Sequence, residues 1–202
     1  MALDGGMDIQ ELDRRAVELS RSIVATVTPD ELRLPTPCSD WDLGALLAHM
    51  TVQHHGFARA VDGERTEIAD WHPIPIDDDP VGRYHKAADR VISSFAAAGA
   101  LERKAYLPEI RDGVTVPGRV AMSFHFVDYV VHSWDVAATL GREFEAADDL
   151  LDAGLVVAAQ VPDDEASRQP GMAFGPKLAE APDGGNLDRL LTVLGRSPKW
   201  PN

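Results

Sequence analysis

An all-α protein is predicted, a four-helix bundle with one extra helix and an irregular C-terminal segment, and three observations predict it. Apolar residues recur at threes and fours in four long stretches, the period of a single helical face. Pro, Gly and Asp cluster between those stretches, where they punctuate the helices. Helices with one apolar face each must bury those faces against one another, and a bundle is the layer arrangement that does so. The 202 residues suffice for one domain with its own core. We read 1–202 as that domain, with the bundle core at about 8–160 and a C-terminal wrap at 161–202.

Taken in order, Ile9, Leu12, Ala16, Leu19, Ile23 and Val27 predict a first helix over 8–27. Prolines in "TPDELRLPTPC" then break the pattern. Ser39 with Asp42 reads as a capping box with Asp in place of the usual Glu. It opens a second helix whose stripe is Leu43, Leu46, Leu47, Met50, Phe57 and Val61. Residues 62–79 are polar and proline-rich, a loop. Asp79 and Pro80 are an N-cap and a first-turn proline. Behind them Val81, Tyr84, Ala88, Val91, Ile92 and Phe95 form a third helix that Gly99 ends. "LPEIRDGVTVPG" is a connection with short extended structure. Pro117 opens a fourth helix, roughly 118–140, and Gly141 closes it from the C′ position. A fifth helix is expected at about 147–160, irregular chain over 162–186, and a short last helix in "NLDRLLTVLG". Two connections, of about 18 and about 20 residues, exceed the usual length and point to function.

Composition excludes several classes. The net charge of −14, with no basic cluster, repels nucleic acid, whose binding rests on Lys and Arg displacing phosphate counterions. The acidity serves solubility. No apolar run approaches the ~18 residues of a membrane span, and "MALDGGMDIQELDRR" lacks the regions of a secretory signal. A single cysteine, Cys38, precludes an internal disulfide. These features together point to the cytoplasm.

The chemistry concentrates in "HFVDYVVHSWD", residues 125–135. From Asp128 to His132 a helix turns ~40° net and climbs ~6 Å, so both side chains can reach one ion. His125 and Asp128, ~60° and ~4.5 Å apart, form a second such pair. His125 and His132 stand ~10 Å apart, too far to share an ion at bond lengths near ~2.1 Å. Asp128 is common to both pairs. One helix supplies only two ligands, and the second helix offers His49, His54 and His55. On a helical wheel His54 lies within the Leu43/Leu47/Met50 stripe, His49 at its edge, and His55 away from it. The wheel leans to His54 and leaves the choice open. Against the metal stands the ordinary reading, in which these are buried polar groups satisfied by hydrogen bonds.

"TPCSDWDLGALLAHM" followed far downstream by "FVDYVVHSWDVAATLG" resembles the DinB-like metal-binding bundles. More narrowly, it resembles the branch related to the N-terminal domain of mycothiol-dependent maleylpyruvate isomerase. The closing "DRLLTVLGRSPKW" is similar to the tail of short uncharacterised bacterial members of that group, so the likeness runs in order from about residue 9 to about 200. It implies that the histidine closing W-D-x-x-x-L-x-x-H, here His49, is a metal ligand. The acidic residue and histidine one turn apart before W-D, here Asp128 and His132, are the others. This sequence has Asp where the isomerase has Glu. Three N/O ligands leave open positions, as catalytic sites do, and suit zinc, nickel or another late divalent ion over Mg or Ca. The resemblance further implies a small-molecule substrate and mycothiol as thiol cosubstrate, for isomerase or transferase chemistry.

The remaining candidates are weaker. His125 and His54 are candidates to move protons. Asp135 is expected either to orient His132 or to pair with Arg142 or another Arg. Cys38, Trp41 and Trp134 read as packing residues, His72 and His85 as exposed, and Phe174 and Trp200 as cover over the bundle mouth. Two other functions fit the same ligands. One is a hydrolase with metal-bound water; the other is a non-catalytic metal-binding interaction module, homodimeric through an apolar helix face.

Overall fold

Apolar stripes on four long helices close around one core in a computed structural model that describes residues 8–74, 78–110, 113–168, 173–179 and 184–202. The elements are α1 (Ile9–Val24), α2 (Leu43–Val61), α3 (Pro80–Phe95), β1 (Lys104–Leu107), β2 (Val114–Pro117), α4 (Gly118–Thr139), α5 (Asp148–Ala158) and α6 (Asn186–Val193). Helix α1 packs on α4 and α3, α2 on α3 and α4, and α5 on α4 and α6. The architecture is the all-α bundle read from the sequence. Beneath α2 and α4 lies an antiparallel hairpin pairing Lys104 with Pro117 and Leu107 with Val114. None of the described helices is long and apolar enough to cross a membrane.

Helix α4 is the central element. Its buried residues come from all round the helix, among them Met122, Phe126, Tyr129, Val130, Trp134 and Val136. A helix apolar on every side has to be enclosed by its neighbours, and polar side chains on it must find partners inside. Helices α1 and α3 bury one face only, around Leu12, Ala16 and Val17, and around Tyr84, Ala88 and Val91.

Four expectations are corrected. The cap of α2 is Asp42 itself, whose side chain accepts the Ala45 amide at 2.8 Å. A carboxylate three residues before that amide satisfies it directly, so the Ser39 box does not form. Helix α1 stops at Val24, short of residue 27. The 62–79 loop holds a 3-10 turn, Ile68–Trp71, whose Trp71 is buried against Phe57 and donates its indole N–H to Thr66. His85 is half-buried and its Nε2 enclosed, whereas His72 is exposed as expected. The C′ role of Gly141 holds, with φ at +62°, a left-handed backbone that favours glycine.

Candidate metal centre

Helices α2 and α4 run antiparallel in contact, and their register decides which histidines meet. His49 lies beside His132, the Met50 carbonyl accepts from the Tyr129 hydroxyl, and His54 lies beside His125. Asp128 and His132, one turn apart on α4, therefore project toward His49. One donor atom from each of His49, Asp128 and His132 lies within 4.8 Å of the other two. His132 Nε2 is 3.4 Å from Asp128 Oδ1, and the His49 ring meets the His132 ring edge-on at 5.3 Å between centroids. Trp41 lies tilted over His49, 4.5 Å between centroids, and, half-buried, packs on the edge of the core. Trp134 is buried as expected.

The electrostatics favour positive charge at the centre. Burial pulls the His49 imidazole down to about 4, so it is neutral with a lone pair at neutral pH. His132 is buried too, which disfavours its cation, but Asp128 on one side and Asp135 on the other outweigh burial and hold it well above the usual histidine range. In the metal-free protein the two carboxylates thus hold an imidazolium between them, and an ion bound at Nε2 would take the place of its proton.

Behind His132 stands a second group. His132 Nδ1 donates to Asp135 Oδ2 at 2.8 Å. Burial works against the Asp135 anion, yet the Arg196 guanidinium and His132 keep its carboxyl below the ordinary range. Arg196 Nη2 lies 3.3 Å from Asp135 Oδ2 and 3.4 Å from Cys38 Sγ, and the Cys38 thiol donates to the same carboxylate oxygen at 3.2 Å. Cys38, His132 and Asp135 also bring donor atoms within 4.8 Å of one another. The guanidinium already supplies the cation that set would attract, so it reads as support for His132. Asp135 thus orients His132 and pairs with an arginine at once. The arginine is Arg196; Arg142 reaches Thr26 and Glu31 instead. Sequence reasoning treated Cys38 as mere packing and passed over Arg196, because no spacing links residues 158 positions apart. Phe174 lies against Arg196, 5.7 Å from guanidinium to ring centroid, and both Phe174 and Trp200 pack on the core's edge.

His125 and His54 are not part of either group. His125 Nδ1 bonds Asp13 Oδ1 at 2.6 Å, and its Nε2 meets His54 Nδ1 at 3.0 Å. Both rings stack on Tyr129, and all three residues are fully buried. The tautomers that satisfy this chain put a proton on His125 Nδ1 and on His54 Nδ1. The enclosed His54 Nε2 is then left as an acceptor with no partner. The structure thus brings together His49, Asp128 and His132, and sets the two proposed proton carriers deeper in the bundle as a pair.

Comparison with known proteins agrees with this architecture. Two uncharacterised proteins from two strains of Mycobacterium tuberculosis are each 27% identical over 196 residues, covering 95% of this chain and 99% of their own length. A crystal structure of the mycothiol-dependent maleylpyruvate isomerase superposes with TM-score 0.57 at 14% identity, covering 80% of this chain and 69% of that one. A point mutant of that enzyme superposes with TM-score 0.60 at 13% identity, covering 88% and 77%. The fold is accordingly the DinB-like bundle that the resemblance implied. Residues 14–137, which carry all three clustered side chains, match the family model described as the mycothiol maleylpyruvate isomerase N-terminal domain, and the chain belongs to that family.

Proposed function

We propose that His49, Asp128 and His132 hold one divalent metal ion and that the chain is an enzyme using a low-molecular-weight thiol, mycothiol or a close analogue, on a small electrophilic substrate. The chemistry is of isomerase or S-transferase type. The observation that carries the reading is the convergence of three donor atoms from two helices within 4.8 Å. The donor set fits such an ion. Two imidazoles and a carboxylate suit zinc, or nickel, better than Mg or Ca. One of the imidazoles is neutral and the other is oriented from behind by Asp135. The Asp in place of the isomerase's Glu still reaches His132, at 3.4 Å. Bound there, the ion would supply Lewis acidity that keeps a thiol in its thiolate form.

The chain's own residues do the rest. Asp135 engages Nδ1 of His132, so Nε2, on the Asp128 side, is the nitrogen that would hold the ion. Trp41 lies against His49 and gives that side of the ring an apolar neighbour. The thiol is supported by the solved structures this chain superposes on, those of a mycothiol-dependent isomerase. The test is optical. Protein loaded with Co(II) should gain a sulfur-to-metal charge-transfer band on titration with mycothiol, and Cys38→Ser should keep that band. A spectrum unchanged at saturating mycothiol contradicts the thiol reading.

A further inference from the structure

The reaction proposed above moves protons, and the two buried histidines do not touch the metal-ligand group. One carboxylate is hydrogen-bonded to α2 a single helical turn from His49. Glu109 sits on the turn between β1 and β2, and the hairpin packs against α2 and α4. The residue is exposed, but its carboxylate folds inward: Gln53 Nε2 donates to Glu109 Oε2 at 2.8 Å. Gln53 is itself buried, 3% exposed. It lies one turn beyond His49 on α2, hence ~40° round and ~6 Å along the same face. The pairings of His49 with His132, Met50 with Tyr129 and His54 with His125 put Gln53 level with the α4 turn that carries Asp128. Among the described residues, the groups that bear on the Glu109 carboxyl are the neutral Gln53 amide from α2 and the Asp128 carboxylate from α4.

Resting on the thiol reading, we propose that Glu109 is the proton-transfer residue of this site, oriented by Gln53. Its carboxylate takes the proton from the incoming thiol as the S–H bond breaks. Its carboxyl then returns that proton to the substrate atom that gains electron density when the sulfur lone pair forms a bond to the electrophile. One proton is taken and one given, so no outside acid or base is consumed. Burial is the main cause, and the Asp128 charge a lesser one, of a carboxyl pushed up to about 7 despite the Gln53 hydrogen bond. A group of that kind is both base and acid near neutrality.

The rival reading makes Glu109 a tether that pins the hairpin to α2. Two measurements separate them, with Glu109→Gln as the variant, since its amide oxygen can still accept from Gln53. In metal-free protein the Glu109 carboxyl, assigned by the carbon NMR signal that Glu109→Gln removes, should titrate with a midpoint near 7. A midpoint in the ordinary range near ~4.3 overturns the proposal. Second is the rate at which mycothiol binds Co(II)-loaded protein in stopped flow. In the wild type it should rise with Glu109 ionisation and level off above neutral pH. Without a base only free thiolate binds, about 3% of a thiol of pKa ~8.5 at pH 7. Glu109→Gln should therefore bind about 15-fold more slowly than the half-ionised wild type at pH 7, and gain about tenfold per pH unit below the thiol's own pKa. Equal rates and profiles for the two proteins overturn the proposal alone. If the wild type shows no mycothiol band at all, the thiol reading has failed and this one with it.

Discussion

At His132 the two ring nitrogens have different neighbours, and that asymmetry defines the site. Nδ1 is committed to Asp135, so Nε2 is the atom left for Asp128 and a metal ion. At His125 both nitrogens are spent inside the protein, on Asp13 and His54. His125→Ala should therefore act on stability and not on metal. It strands the buried Asp13 carboxyl, 1% exposed, without its partner. We expect a loss of about 3–5 kcal/mol, the usual result of breaking a buried pair from one side. Urea unfolding measures it, and an unchanged midpoint would contradict the buried-pair account. Histidines of these two kinds could not be told apart by spacing. The helical wheel gives azimuth and says nothing of height along the helix. His49 and His54 both face α4, and only the antiparallel register decides that one meets His132 and the other His125. The Cys38–Asp135–Arg196 contacts were beyond reach for a simpler reason, since they join segments far apart in sequence.

Among the elements, α2 shows how local chemistry and packing together place the site. Asp42 starts it, Trp41 is carried against His49, and the helix then holds its register through Gly56. A methyl group at Gly56 would come within 2.6–2.7 Å of the Trp71 ring. In an ordinary exposed helix, Gly→Ala stabilises by ~1 kcal/mol. Here overpacking against a buried indole should outweigh that gain, and Gly56→Ala should lose about 1–3 kcal/mol. A melting temperature below the wild type's is the expected result, and one above it would contradict the packing. The sequence made α1 through α4 legible because their apolar periods are long. It left β1 and β2 as an unspecific extended stretch, since four-residue strands carry too few alternations to register. That omission also hid Glu109, whose interest arises only once the hairpin is laid against Gln53.

For the whole molecule, the bundle alone makes the site incomplete. Helices α5 and α6 pack together, and the chain after α6 returns Arg196 to the back of His132. Arg168 holds that return by bonding the carbonyls of Gly175 and Val193. The irregular C-terminal composition announced a wrap but not the arginine it delivers. The apolar stripes bury a core around Phe126, Tyr129 and Leu47, and the fold is expected to stand without the proposed ion. Ligand loss should then leave a folded protein, which makes the central claim directly measurable. Metal content by mass spectrometry, on folded protein reconstituted with zinc, should fall steeply for His49→Ala and His132→Ala and fall for Asp128→Ala. It should stay at the wild-type level for His54→Ala and His125→Ala. Full metal in His49→Ala with loss in His54→Ala, or no change in any of the five, would contradict the account.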